Sequence, residues 1–220
     1  MRVYVQLLVA GALVAAVPIL GQDLRHATFR NTTWGMTKAQ VLASEVEHPS
    51  DVHESNGETV VQYDGLKFGG LDGRVVYIFA PAGIDAKLVR AKYLLDAEHN
   101  ELNDFIADYR AVETILRATH GEPTWQKADW LDDSLQEERK GYLDQDRALA
   151  ESILPSDANV GLAVSLGHLK LFTELGEGRT KVLHALTGAD GRITHQIEYR
   201  SSELGAVEDE VRRQGGEGGH

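Results

Sequence analysis

The run from Asn100 to Pro123 constrains this chain more than any other stretch. Leu102, Phe105, Ile106, Tyr109, Val112, Ile115 and Leu116 recur there at spacings of three and four. That recurrence marks one face of a helix of about five turns. Asn100 or Asn103 can cap its start, and Gly121 followed by Pro123 stops it. A helix with one long apolar stripe must bury it on another element. The alternating segments on both sides of it offer antiparallel strands for that purpose.

Before this helix, Thr37 and Gln40 form a capping box, with Met36 and Val41 placed to staple the entry of the chain. A shorter helix is expected from Lys38 to Val46, and the polar residues 49–58 read as a loop. Thr59–Tyr63 and Leu66–Phe68 alternate as strands. Leu71-Asp72-Gly73-Arg74 carries an Asp-Gly hairpin signal, answered by Val75–Phe79, and Lys87–Leu95 reads as a further strand. After the helix, Trp125 and Trp130 fall on or beside an edge strand. Asp132–Ser152 is charged and only weakly helical. Val160–Leu175 reads as one long strand with Gly167 at a bulge. Arg179–Leu186 and Arg192–Tyr199 read as two more strands, joined through Thr187–Gly191.

Helix followed by antiparallel strands thus occurs twice. The expected fold is α+β, a tandem of two units, each a helix packed on an antiparallel sheet. The first unit spans residues 22–97 and the second 98–200, with an insertion at 124–160. The segment Leu71-Asp72-Gly73-Arg74-Val75 echoes Ala189-Asp190-Gly191-Arg192-Ile193 and supports relating the units. Residues 201–220 lack a core pattern and read as a disordered tail.

Residues 1–21 read as a signal peptide: Arg2, an apolar run from Val3 to Val17, then Pro18 and Gly21 ahead of the expected cleavage. A retained membrane anchor is the rival reading, because the run approaches the length of a span. The chain contains no cysteine. That excludes a disulfide framework, a thiolate metal site, a cysteine nucleophile and a lipidated N-terminal cysteine. A periplasmic or secreted location is expected, with no stable membrane insertion after cleavage. The formal net charge is -12, so the basic footprint of a nucleic-acid binder is missing.

The stretch Gly35-Met36-Thr37-Lys38-Ala39-Gln40-Val41 resembles the start of the BamE (SmpA/OmlA) module of bacterial outer-membrane assembly, where such a run opens the first helix. That family shares a helix-plus-antiparallel-sheet plan with the β-lactamase inhibitor protein repeats. Similar Trp-Gly-Met starts also occur in uncharacterised exported bacterial proteins. The resemblance covers about 15 residues, mostly capping chemistry, and implies a fold more than an activity. The lipidated cysteine of BamE is missing here, as is the Gly-x-Pro that should close the first helix.

Few residues stand out for chemistry. His184 and His195 lie on adjacent expected strands, as a candidate pH-sensitive pair. A four-residue loop at Gly188–Gly191 would set them face to face; a two-residue Asp190-Gly191 turn would leave them diagonal. Two ligands do not make a zinc site, and spacing offers no third. Trp125 and Trp130 form a candidate binding patch, while Trp34 reads as a seat for the first helix. Asp129, Asp132, Asp133, Asp144 and Asp146 lack the pattern of a calcium loop. Asp104 and Glu113 lie off the apolar stripe and are expected in solvent. No catalytic residue, cofactor or metal ligand is assigned, since no nucleophile elbow, phosphate loop or zinc-protease motif occurs. The expected role is a non-catalytic envelope protein that binds another protein or assists assembly. The alternatives are a secreted enzyme inhibitor and, less favoured, a metal-dependent enzyme.

Overall fold

The computed structural model describes residues 28–80, 86–131, 160–176 and 178–205. The expected leader at 1–21, residues 132–159 of the expected insertion and the tail from 206 lie outside the described residues.

Local sequence chemistry explains the first helix, α1 (Lys38–Ser44). The Thr37 hydroxyl accepts from the Gln40 amide at 3.3 Å, and the Gln40 side chain accepts from the Thr37 amide at 2.9 Å. Together they satisfy donors that a helix start leaves bare. Met36 and Val41 are buried beneath it. The long helix, α2 (Asp104–His120), ends where the sequence requires, at Gly121 with φ 84°. Its Asn103 makes no capping bond; its side-chain oxygen instead accepts from the Gly161 amide at 2.9 Å.

The strands are β1 (Asp51–Ser55), β2 (Glu58–Phe68), β3 (Leu71–Phe79), β4 (Leu88–Leu95), β5 (Trp125–Trp130), β6 (Leu169–Leu175), β7 (Thr180–Ala189) and β8 (Arg192–Ser201). They form one antiparallel sheet of eight strands, in the order β1-β2-β3-β4-β8-β7-β6-β5. This overturns the expected tandem of two helix-on-sheet units. β4 pairs directly with β8, setting Ala91 opposite Tyr199, Tyr93 opposite Ile197 and Leu95 opposite His195. The supposed boundary near residue 97 is therefore bridged by a continuous hydrogen-bonded ladder. Val75, Tyr77, Ala91, Ile197, Tyr199 and Val182 belong to one hydrophobic cluster that crosses that seam.

Three local expectations also change. Asp72-Gly73 is not a turn: it lies inside β3, opposite Lys67 and Leu66, and the reversal falls at Gly69-Gly70, both at positive φ. Asp190-Gly191 is a true two-residue turn between Ala189 and Arg192. The apparent echo between the two segments therefore has no structural counterpart. Residues 51–55, expected in a loop, form β1, closed by an Asn56-Gly57 turn at positive φ. β1 is exposed along its whole length, so burial imposes no alternation on its sequence. Finally, Val160–Ser165 is a short helix, α3, not the start of a long strand. It lies against backbone: a Cβ on Gly161 would stand 2.3 Å from the Leu102 carbonyl oxygen, and one on Gly188 2.1 Å from that of Val164.

The core lies on one face of the sheet. Alternate residues of the central strands, such as Val61, Tyr77, Ala91, Ile197, Val182 and Leu171, pack there with Val41, Val112, Leu116 and Val164. The periodicity of two along each strand sends the intervening residues to the opposite face. That second face is not bare: Val76, Ile78, Ala185 and Glu58 are buried there, and the helical residues 202–205 lie against Arg200, whose guanidinium donates to the Gly205 carbonyl at 2.7 Å.

Candidate functional site

The face opposite the main core carries ionic and apolar side chains in rows across the strands, buried at Val76, Ile78 and Ala185 and more open toward β5. One row runs from Trp125 through Glu174, Leu183 and Glu198 to Lys92 and Val76. Lys92 bonds Glu198 at 2.7 Å, and Lys181 approaches Glu174 at 3.9 Å. Arg90 bonds Glu58 at 2.6 Å. Trp125, 47 % exposed, stacks on Phe172 with ring centroids 6.4 Å apart. Leu183 is half-buried between two glutamates. Aromatic and aliphatic groups interleaved with paired charges resemble the composition of a protein–protein contact more than that of a small-molecule pocket.

Trp125 and Trp130 do not form one patch. They are five residues apart on one strand, an odd spacing that sends them to opposite faces. Trp130 packs toward the Ile106 and Leu169 cluster, while Trp125 lies on the opposite face beside Phe172. Trp34 donates its indole N–H to Thr180 Oγ1 at 2.8 Å, tying the approach to α1 to β7. Beside it lies a cavity of about 200 Å³ lined by Trp34, Gly35, Arg179, Ser201, Glu203 and Leu204. That volume is below the range of roughly 300–1,000 Å³ usual for ligand pockets.

His184 and His195 meet beneath α2. The two-residue turn leaves them diagonal: Leu186 faces His195, and His184 faces Ile197. Their imidazoles nevertheless reach each other, with Nε2 atoms 2.8 Å apart. One Nε2 must carry a proton and the other a lone pair for that bond to form. Tyr109 stacks on His184, its ring 4.0 Å away and only 12° from parallel. Both histidines are buried, at 0 % and 2 % exposure. Neither Nδ1 has a hydrogen-bond partner among the described residues. Burial holds the His195 pKa down to about 4, opposed by the charge of Asp108. The His184 pKa is pushed well below 6.5, by burial first and by His195 second. Two neutral, sealed imidazoles cannot meet a substrate from solvent, so their chemistry is that of a proton-sensitive core.

A polar chain continues from this pair. Tyr109 and Thr173 hydroxyls lie 2.8 Å apart, and Gln126 donates to Thr173 at 3.4 Å and to Glu113 at 2.6 Å. Arg117 lies 3.1 Å from the same Glu113 oxygen. Glu113, expected in solvent, is thus buried, and burial raises its pKa against the opposing pull of Arg117. A second buried cluster went unread in the sequence. The Glu45 carboxylate takes two bonds from Arg30 and one from the Tyr77 hydroxyl. Arg30 reaches it from a tight turn at φ 48°.

Comparison with known proteins identifies no relative. No protein-family model, curated protein or solved structure matches the chain. Among the described residues no group of three or more His, Cys, Asp or Glu side chains is placed to hold a metal ion. Among those same residues no helix is long and apolar enough to cross a membrane.

Proposed function

We propose that this chain is a non-catalytic exported protein, periplasmic or secreted, that binds another protein through the apolar cluster around Trp125, Phe172 and Leu183. The observation that carries this reading is an apolar cluster at the β5–β7 end of the face opposite the main core. Trp125, 47 % exposed, stacks there on Phe172, and Leu183 is half-buried between Glu174 and Glu198. Apolar anchors with an ionic surround suit a protein partner. The acidic balance of the chain disfavours polyanions such as nucleic acid. The export reading rests on residues 1–21 and on the lack of cysteine.

The reading is tested by affinity capture from a cell-envelope extract, with wild type beside Leu183→Lys. Lysine at that position would sit between Glu174 and Glu198, so the fold should accept it. Wild type should retain one protein reproducibly and the variant should lose it. Retention unchanged by Leu183→Lys, or no retained protein at all, would refute the proposal.

A further inference from the structure

Asparagine is among the thermally labile residues, because the amide nitrogen of the next residue can attack its carboxamide carbon. A side chain on that next residue hinders the approach, and glycine leaves it open. Asn56 is the only asparagine of the chain followed by glycine; Asn31, Asn100, Asn103 and Asn159 precede threonine, glutamate, aspartate and valine. Asn56 and Gly57 form the two-residue turn between β1 and β2, at φ 52° and 77°. Both are exposed, and a Cβ on Gly57 would meet no atom within 4 Å. The ladder ends with Ser55 opposite Glu58, so Gly57 lies outside it. The fold holds this turn weakly. All five residues of β1 are exposed, none belongs to the core clusters, and β1 pairs with β2 alone. Opening this end of the hairpin therefore breaks no core packing.

We propose that Asn56-Gly57 is a self-modification site, a deamidation whose isoaspartyl product releases β1 from the sheet. The Gly57 nitrogen loses its proton and bonds to Cγ of Asn56. The Cγ–Nδ2 bond breaks, ammonia leaves, and a cyclic imide remains. Water then opens the imide. Cleavage between the nitrogen and Cγ gives aspartate with the main chain as before. Cleavage between the nitrogen and the main-chain carbonyl carbon gives the isoaspartyl form, in which the chain runs through Cβ and Cγ. In sum, an amide and water become a carboxylate and ammonium, with no oxidant or reductant. The aspartyl product suits the same turn, since Asp-Gly is a preferred pair there. The isoaspartyl product puts an extra carbon into the main chain of a turn whose length fixes the register, so β1 cannot keep its pairing. β2 then becomes the edge of the sheet. It is eleven residues long and carries Val61, fully buried while β1 is in place. An unpaired strand of that length is a template for strand addition. The age of the molecule would thus set the state of this edge.

Incubation of the full chain in mildly alkaline buffer made with heavy-oxygen water tests this. Peptide mapping by mass spectrometry locates the label, and the urea-unfolded chain supplies the reference rate. The folded chain should take up heavy oxygen at position 56 while Asn31, Asn100 and Asn103 stay intact. Hydrogen exchange on the separated isoaspartyl form should show amides of the β1–β2 ladder exchanging about tenfold faster or more. The aspartyl form should keep the exchange of the starting protein. Asn56→Gly, whose Gly-Gly pair suits the same turn, should take up no label there and hold β1 throughout. An Asn56 left intact in the fold while most of the unfolded chain is converted would overturn the proposal. So would an isoaspartyl form whose ladder exchanges no faster than before.

Discussion

Acid should unfold this protein through His184 and His195. A histidine in the unfolded chain titrates near 6.5. In the fold, burial holds His195 down to about 4 and His184 well below 6.5. As pH falls from 6.5, the unfolded chain gains protons that the fold refuses, so stability is lost as pH falls. The groups around the pair are Asp108, Tyr109 and Thr173, and only Asp108 carries a charge that favours protonation of His195. Each refused proton costs roughly 1.4 kcal/mol per pH unit well below 6.5. Taken from 6.5 to about 4, His195 alone accounts for about 3 kcal/mol. His184 adds to this in the same direction. Glu113 works oppositely, because its raised pKa lets the fold accept a proton more readily than the unfolded chain. Against a typical total of about 5–15 kcal/mol, the histidine loss is large. Urea unfolding at a series of pH values measures it. The comparison is His184→Leu with His195→Leu, which removes both partners together and so leaves neither unpaired. Its stability should change much less with pH between 6.5 and 4. Equal slopes for the two proteins would refute the assignment.

Two further substitutions probe the packing. Glu45→Ala should cost about 3–5 kcal/mol in denaturant unfolding, because it strands Arg30 and Tyr77 around a site whose carboxylate is 1 % exposed. Gly188→Ala should lower the melting temperature through a loss of about 1–3 kcal/mol, since its Cβ would meet the Val164 carbonyl oxygen at 2.1 Å. A neutral outcome there would mean that α3 moves freely off β7.

What could be read from the sequence was what neighbouring residues decide among themselves. Thr37 and Gln40 cap α1 across three positions, and the stripe from Ile106 to Leu116 marks α2, so both helices were legible. The edge position of Trp125 and Trp130 was legible too, but their sides were not, until strand register put an odd spacing between them. The join of β4 to β8 was hidden because it pairs residues about a hundred positions apart, where no local pattern speaks. Val160–Ser165 misled because a short apolar run suits a strand or a buried helix equally. As a helix it lies close to backbone at Leu102 and Gly188, a tertiary contact that no local pattern reveals. Glu113 was misplaced because its partner Gln126 arrives from a strand beyond the helix. For the histidines the sequence left two registers open, and the Asp190-Gly191 turn decides between them.

The account's central claim is that the cluster around Trp125, Phe172 and Leu183 is the binding surface. Site-specific photo-crosslinking in the producing cell tests it most directly. One probe replaces Leu183 in that cluster; the other replaces Ala107, exposed on α2. The account expects one discrete crosslinked protein from position 183 and none from 107. Crosslinks from 107 alone, or the same products from both positions, would contradict it.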